Sequence, residues 1–221
     1  YRAFPIALTR LLNAASARRN TTDNPLAKPN LRCPITCVKA IIKGPSGDIH
    51  MKLQSVEDLF LQGLQYLYDA EKQLTQALPK MSQAASTPEL KQAFEHHLQE
   101  TKEHVGRAEE IFKQFGKQPE AKPNSVLKQM SQEAEQMIQN TDQSPVRDAA
   151  LIVAGNQVEH FEIASYGSLR TFAELLGKQN VVAIIDKTLQ EEKQADKKLT
   201  EIGEQNVNQK AMQRGTAASA R

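Results

Sequence analysis

The sequence predicts an all-α protein: four long helices in two antiparallel hairpins, joined by a long crossover that carries a short extra helix. Three observations predict it. Apolar residues recur at spacings of three and four through most of residues 53–202. Alternation of period two is absent, and glycine is rare inside the periodic stretches. Helix-starting and helix-stopping residues stand where those stretches begin and end.

The first helix follows Leu53, Val56, Phe60, Leu64, Leu67, Leu74 and Leu78, with Ser55 as cap and Asp58 three residues on. It is expected to end near Ala85. The second follows Leu90, Phe94, His97, Thr101, Val105, Ala108, Ile111 and Phe115, with Thr87 as N-cap, Pro88 at the first position and Gly116 as stop. The link between the two is short, which makes them a hairpin. GKQPEAKPN is a loop, and SVLKQMSQEAEQMIQN is a short amphipathic helix with Val126, Leu127, Met130, Met137 and Ile138 on its apolar side. The third long helix starts at Ser144 and Pro145, passes Leu151, Ala154, Val158, Phe161, Ser165 and Leu169, and stops at Gly177. The fourth carries Val181, Ile184, Ile185, Leu189, Leu199 and Ile202. Hairpin, long crossover, hairpin is the connectivity of a ferritin-like bundle.

The ends differ from this body. Residues 1–50 hold 8 Lys/Arg against 2 Asp/Glu and read as a flexible basic extension, with Met51 the natural start of the domain. An organelle-targeting segment is the alternative. Cys33 and Cys37 lie there and read as free thiols. Residues 207–221 read as a flexible, frayed tail. The body, residues 51–206, holds 17 Lys/Arg against 24 Asp/Glu. That acidity argues against nucleic acid and suits a body that attracts cations. No apolar run reaches the roughly 20 residues of a membrane span, so a cytoplasmic protein is expected.

A bundle core should be apolar, yet each long helix carries acid on its apolar stripe. Glu71 lies among Leu64, Leu67, Leu74 and Leu78; His97, Glu100 and His104 share a face with Phe94 and Ala108; Glu159 and Glu162 sit by Val158 and Leu169; Glu192 and Asp196 sit by Leu189 and Leu199. A buried carboxylate needs a partner. The halves also resemble weak repeats, with 29 residues from Glu71 to Glu100 and 30 from Glu162 to Glu192, so a hairpin sets each pair at similar height. Two divalent cations would neutralise such a cluster, and mixed oxygen and nitrogen ligands favour iron or manganese over a closed zinc site. The usual Glu-x-x-His motif is missing: Glu100 and His104 are four apart, and Glu192 is followed by Asp196. The second helix leaves the choice open among His97, Glu100, Glu103 and His104, and the third among Glu159, His160 and Glu162. Glu71 paired with Lys72 or Lys80 at a boundary is the plainer alternative. Tyr66, Tyr68 and Tyr166 read as packing residues, with one available to hydrogen-bond a ligand carboxylate.

MKLQSVEDLFLQGLQYLYDAEKQL, HLQETKEHVGRAEEIF, VEHFEIASYGSLRTFAELLG and TLQEEKQADKKLTEI, in that order across residues 51–206, resemble the YciE/YciF ferritin-like stress proteins of bacteria. The resemblance implies a ferritin-like bundle, a di-metal centre, a dimer and a link to stress. It implies no substrate. Position by position it supports Glu71, Glu100, Glu159, Glu162 and Glu192, while His104 stands where relatives often have Gln. Together the readings give a stress-response protein holding two divalent metal ions, iron ahead of manganese. It would be a homodimer without nucleic-acid or membrane partners, handling iron, peroxide or O2. A structural or interaction bundle, or a metal buffer without turnover, is the competing expectation.

Overall fold

Ser55 and Asp58 cap each other. Ser55 Oγ accepts the Asp58 N–H at 3.0 Å and Asp58 Oδ2 accepts the Ser55 N–H at 3.0 Å, which satisfies donors that no helical carbonyl can reach. From this cap, in a computed structural model that describes residues 53–219, run α1 (Val56–Ala84), α2 (Pro88–Gln114), α3 (Ser125–Gln139), α4 (Pro145–Leu175) and α5 (Gln179–Ile202). A π turn, Gly203–Val207, leads into α6 (Asn208–Ser219). Among the described residues there is no strand, and no helix is long and apolar enough to cross a membrane. The expectations for residues 1–50, including Cys33 and Cys37, lie outside the described residues.

The four long helices form the expected bundle. α1 packs on α2 and α4, and α5 packs on α4 and α2, leaving α1–α5 and α2–α4 as diagonals. Neighbours run antiparallel. Gly63 near the start of α1 lies against Leu169 late in α4, while Ser86 beyond the end of α1 meets Asp148 at the start of α4. α2 and α4 are therefore parallel across the diagonal, and the chain must return along the whole bundle to begin α4. α3 makes that return over α1 and α4. Asn124 caps it by accepting the Leu127 N–H at 3.0 Å, and Asp69 of α1 accepts the Asn124 N–H at 2.7 Å. Gly116 (φ 66°) and Gly177 (φ 68°) end α2 and α4 in the left-handed region, where a side chain is strained.

Four expectations are corrected. Leu53 and Val126 are exposed rather than core, because both lie at helix entrances outside the bundle's reach; Leu127 and Ala134 are the buried residues of α3. The tail is not frayed from residue 207. Val207 is fully buried and α6 packs on α4, since the wider π turn carries the chain on past Gly203. Thr87 stands at the N-cap of α2, but its hydroxyl caps nothing.

Asp148 of α4 instead holds the two residues that lead into α2. Fully buried, it accepts the Ser86 N–H at 2.7 Å, the Thr87 N–H at 2.9 Å and the Ser86 hydroxyl at 2.6 Å. The expected result is that Asp148→Ala lowers stability by about 2–3 kcal/mol, as loss of hydrogen bonds to a buried charge does. Thr87→Val is expected to be close to neutral. Chemical denaturation of both variants checks this.

The core is split. One apolar cluster joins Leu74, Leu78, Phe94, Leu151 and Leu199; the other joins Phe60, Leu64, Ile111, Leu169 and Ile185. Between them lies a polar layer.

Candidate metal centre

Each long helix supplies that layer from mid-length. α1 gives Glu71, α2 gives His97 and His104, α4 gives Glu159 and Glu162, and α5 gives Glu192. All six are at most 5% exposed. Their ligand atoms fall into two groups, each within 4.8 Å: His97, Glu159, Glu162 and Glu192 in one, Glu71, His104 and Glu192 in the other. Glu192 belongs to both.

The distances are those of charges gathered around common points. His97 Nε2 lies 3.3 Å from Glu159 Oε1 and 3.6 Å from Glu192 Oε2. His104 Nδ1 lies 3.1 Å from Glu192 Oε1 and 3.5 Å from Glu71 Oε1. Yet His97 Nε2, His104 Nδ1, both oxygens of Glu162 and of Glu192, and one oxygen each of Glu71 and Glu159 make no aligned hydrogen bond. So many orphaned buried atoms in one layer would cost several kcal/mol. They are a fitting donor set for divalent ions, of the oxygen-and-nitrogen kind that suits iron or manganese.

Electrostatics says the same. Burial pushes Glu162 well above the usual carboxylate range, and repulsion from Glu71, Glu192 and Glu159 adds to it. Burial likewise raises Glu159, against the pull of His97, and Glu71, against the pull of His104. Burial opposes charge on the imidazoles, but carboxylates outweigh it: Glu159, Glu100 and Glu192 hold His97 up at about 9, and Glu192 with Glu71 holds His104 up at about 11. Glu192 is also buried, but His104 and His97 outweigh that and keep it below the usual range. Without metal the layer approaches neutrality by holding protons.

The residues behind the imidazoles fix which nitrogen faces inward. His104 Nε2 meets Glu191 Oε2 at 2.9 Å, which leaves Nδ1 for the centre. Glu191 is clamped by Arg107, whose Nη1 and Nη2 both reach it and whose Nη1 also donates to Thr188 at 3.1 Å. Glu100 Oε2 lies 3.3 Å from His97 Nδ1, which leaves Nε2 for the centre. Tyr166 is fully packed and donates its hydroxyl to Glu71 Oε1 at 2.5 Å. Glu191→Gln is expected to weaken metal affinity by about 10–100-fold while keeping the ion count, the usual consequence of removing a carboxylate behind a ligand histidine. Titration of the metal-free protein reads this.

Two of the eight residues read from the sequence as ligands, Glu100 and Asp196, stand outside the two groups. Glu100 sits at the edge of α2, between His97 and the exposed His96, because the turn between His97 and His104 on the inner face is taken by the fully buried Thr101. Asp196 lies one turn beyond Glu192 and pairs at 3.2 Å with the exposed His160, so His160 too is turned away from the layer. The sequence reading missed Glu191 and Arg107. The signal available was a basic residue one turn after His104, beside a second acid adjoining Glu192.

Residues 55–212 match a family described as a domain of unknown function, DUF892. The chain belongs to that family. The relative YciF of Escherichia coli K12 is 42% identical over 169 residues, which span 73% of this chain and 98% of YciF. The crystal structure of YciF, described there as a stress protein, matches with a TM-score of 0.68 at 41% identity over 71% of this chain and 99% of that one. YcfI from Rhodopseudomonas palustris, to which a structural role has been provisionally ascribed, matches with a TM-score of 0.65 at 38% identity over 68% of this chain and 96% of that one. The YciE/YciF resemblance read from the four sequence blocks thus holds for this DUF892 chain, and so does its helical bundle.

Proposed function

We propose that this bundle holds two divalent metal ions, iron ahead of manganese, and uses them in a bacterial stress response. The observation that carries the reading is the set of orphaned carboxylate and imidazole atoms converging in two groups with Glu192 in common. His97, Glu159 and Glu162 would hold one ion, Glu71 and His104 the other, and Glu192 both. When bound, the ions supply redox chemistry toward peroxide or O2, or the oxidation of Fe(II). The four carboxylates balance the charge of two divalent ions with both imidazoles neutral. Glu191 and Arg107 hold the His104 ring, Tyr166 orients Glu71, and the two apolar clusters flank the layer on either side. A homodimer in the cytoplasm is the proposed setting.

The test is metal per chain, then peroxide and O2 consumption by the loaded protein. About two ions per chain are expected, the number a carboxylate-rich bundle core of this kind holds. A bundle that rejects added Fe(II) would be a scaffold, the reading that the role ascribed to YcfI favours. Binding without turnover would make it a buffer.

Metal uptake is expected to release protons. At pH 7 both imidazoles carry protons, since their pKa values lie at about 9 and 11. Glu159 and Glu162 are raised as well. Ions must displace those protons, roughly two to four per chain, so affinity rises with pH and is lost on acidification. Calorimetry in buffers of different ionisation enthalpy measures the release. Uptake with no proton release would contradict the arrangement.

A further inference from the structure

A cavity of about 420 Å³ opens between α2 and α5 and reaches the polar layer. Its inner end is lined by His97 and Glu159, 5% and 3% exposed, each with an orphaned polar atom. Its outer end is lined by exposed Glu89, His96 and Lys198. Glu100 spans the two, with Oε1 3.4 Å from His96 Nε2 and Oε2 3.3 Å from His97 Nδ1. Ala93 and Ala195 keep the passage wide.

The geometry points to this cavity as the way in for hydrated divalent cations, with His96 and Glu100 as a docking station that passes each ion inward to His97 and Glu159. The inference rests on the two-ion reading and adds a route to it. Size allows it: six waters at about 30 Å³ each occupy roughly 180 Å³, well under the cavity's volume. Charge favours it at the mouth, where Glu89 and Glu100 outnumber Lys198. Chemistry explains Glu100, which lies outside both ligand groups yet is half-buried against a ligand imidazole. A carboxylate there can replace an ion's water before the inner ligands do. The larger groove beside α3, α4 and α6, about 1070 Å³, is lined by Val126, Val153 and His160 and by none of the six ligands.

The test is the rate of Co(II) uptake by metal-free full-length protein, followed by the growth of visible absorption in stopped flow. Ala195→Phe, which fills the passage, is expected to slow uptake severalfold and leave the final ion count unchanged. Lys198→Glu on the rim, which carries no folding risk, is expected to speed uptake by about tenfold at low salt and less at high salt, as steering by a charged cleft does. Glu100→Gln should slow it. Val153→Phe in the other groove should leave the rate as it is. Native rates in both Ala195→Phe and Lys198→Glu would overturn the route while leaving the centre standing. No Co(II) uptake by the native protein would overturn the centre, and the route with it.

Discussion

Glu192→Ala is expected to remove both ions at once, taking the metal content from about two per chain to near zero. Glu192 is the one residue common to both ligand groups, whereas Glu71 serves only one and Glu162 only the other. A variant lacking Glu71 should keep part of its metal; one lacking Glu192 should not. The metal-free protein should suffer too. Glu192 is the carboxylate that His104 and His97 hold in its charged form, so its removal leaves two buried imidazoles short of a counter-charge. Breaking a buried pair costs about 3–5 kcal/mol, and about 3 is expected here because His97 keeps Glu159 and His104 keeps Glu71. For a domain of this size that is a fall in Tm of about 6–12 °C. Elemental analysis and thermal melts of the metal-free variant check both parts. Full retention of one ion would show that Glu192 is not shared.

The fold was legible where its causes are local. Ser55 with Asp58, Ser144 with Pro145, and Gly116 and Gly177 act within one turn of chain, so their residue types announce the helix ends. The cap of α2 was half legible. Thr87 marks the place, but its hydroxyl caps nothing, and its own N–H is held by Asp148, 61 residues further along, which no local pattern announces. α6 was missed because NQKAMQRGTAAS is polar and helical periodicity is weak there; its packing on α4 is a tertiary matter. In the site, Glu71, Glu162 and Glu192 interrupt apolar stripes, and that interruption is what a sequence can show. Glu100 and Asp196 show the limit. At about 100° per residue, positions three or four apart on a helix differ by about 40–60° in direction, enough to separate an inner ligand from a residue behind it. His97 and His104, seven apart, differ by only about 20° and both face inward. The Glu191–Arg107 clamp depends on how α2 meets α5, which one helix's spacing does not encode.

Glu162→Leu should act in the opposite sense to Glu192→Ala in the metal-free protein, although both residues are fully buried glutamates. Glu162 makes no hydrogen bond on either oxygen, and Glu71, Glu192 and Glu159 repel its charge. Leucine removes an unsatisfied buried group, which is worth about 1–3 kcal/mol, so the metal-free variant should melt higher than the native protein. The gain should depend on pH. The folded-state pKa of Glu162 is raised, so the folded state binds more protons than the unfolded one. The native protein's stability from this group is full below the ordinary carboxylate range and is lost as pH rises toward the raised value. The advantage of Glu162→Leu should therefore be small near pH 4 and grow as pH rises. With metal the order reverses. The native protein gains about 2.7 kcal/mol at ions one hundredfold above Kd, and the variant, short of one ligand, gains less. Melts of both proteins with and without Fe(II) across pH decide it. A metal-free variant less stable than the native protein at pH 7 would mean that Glu162 has a partner holding its charge, and that the layer is a structural network rather than a vessel for ions.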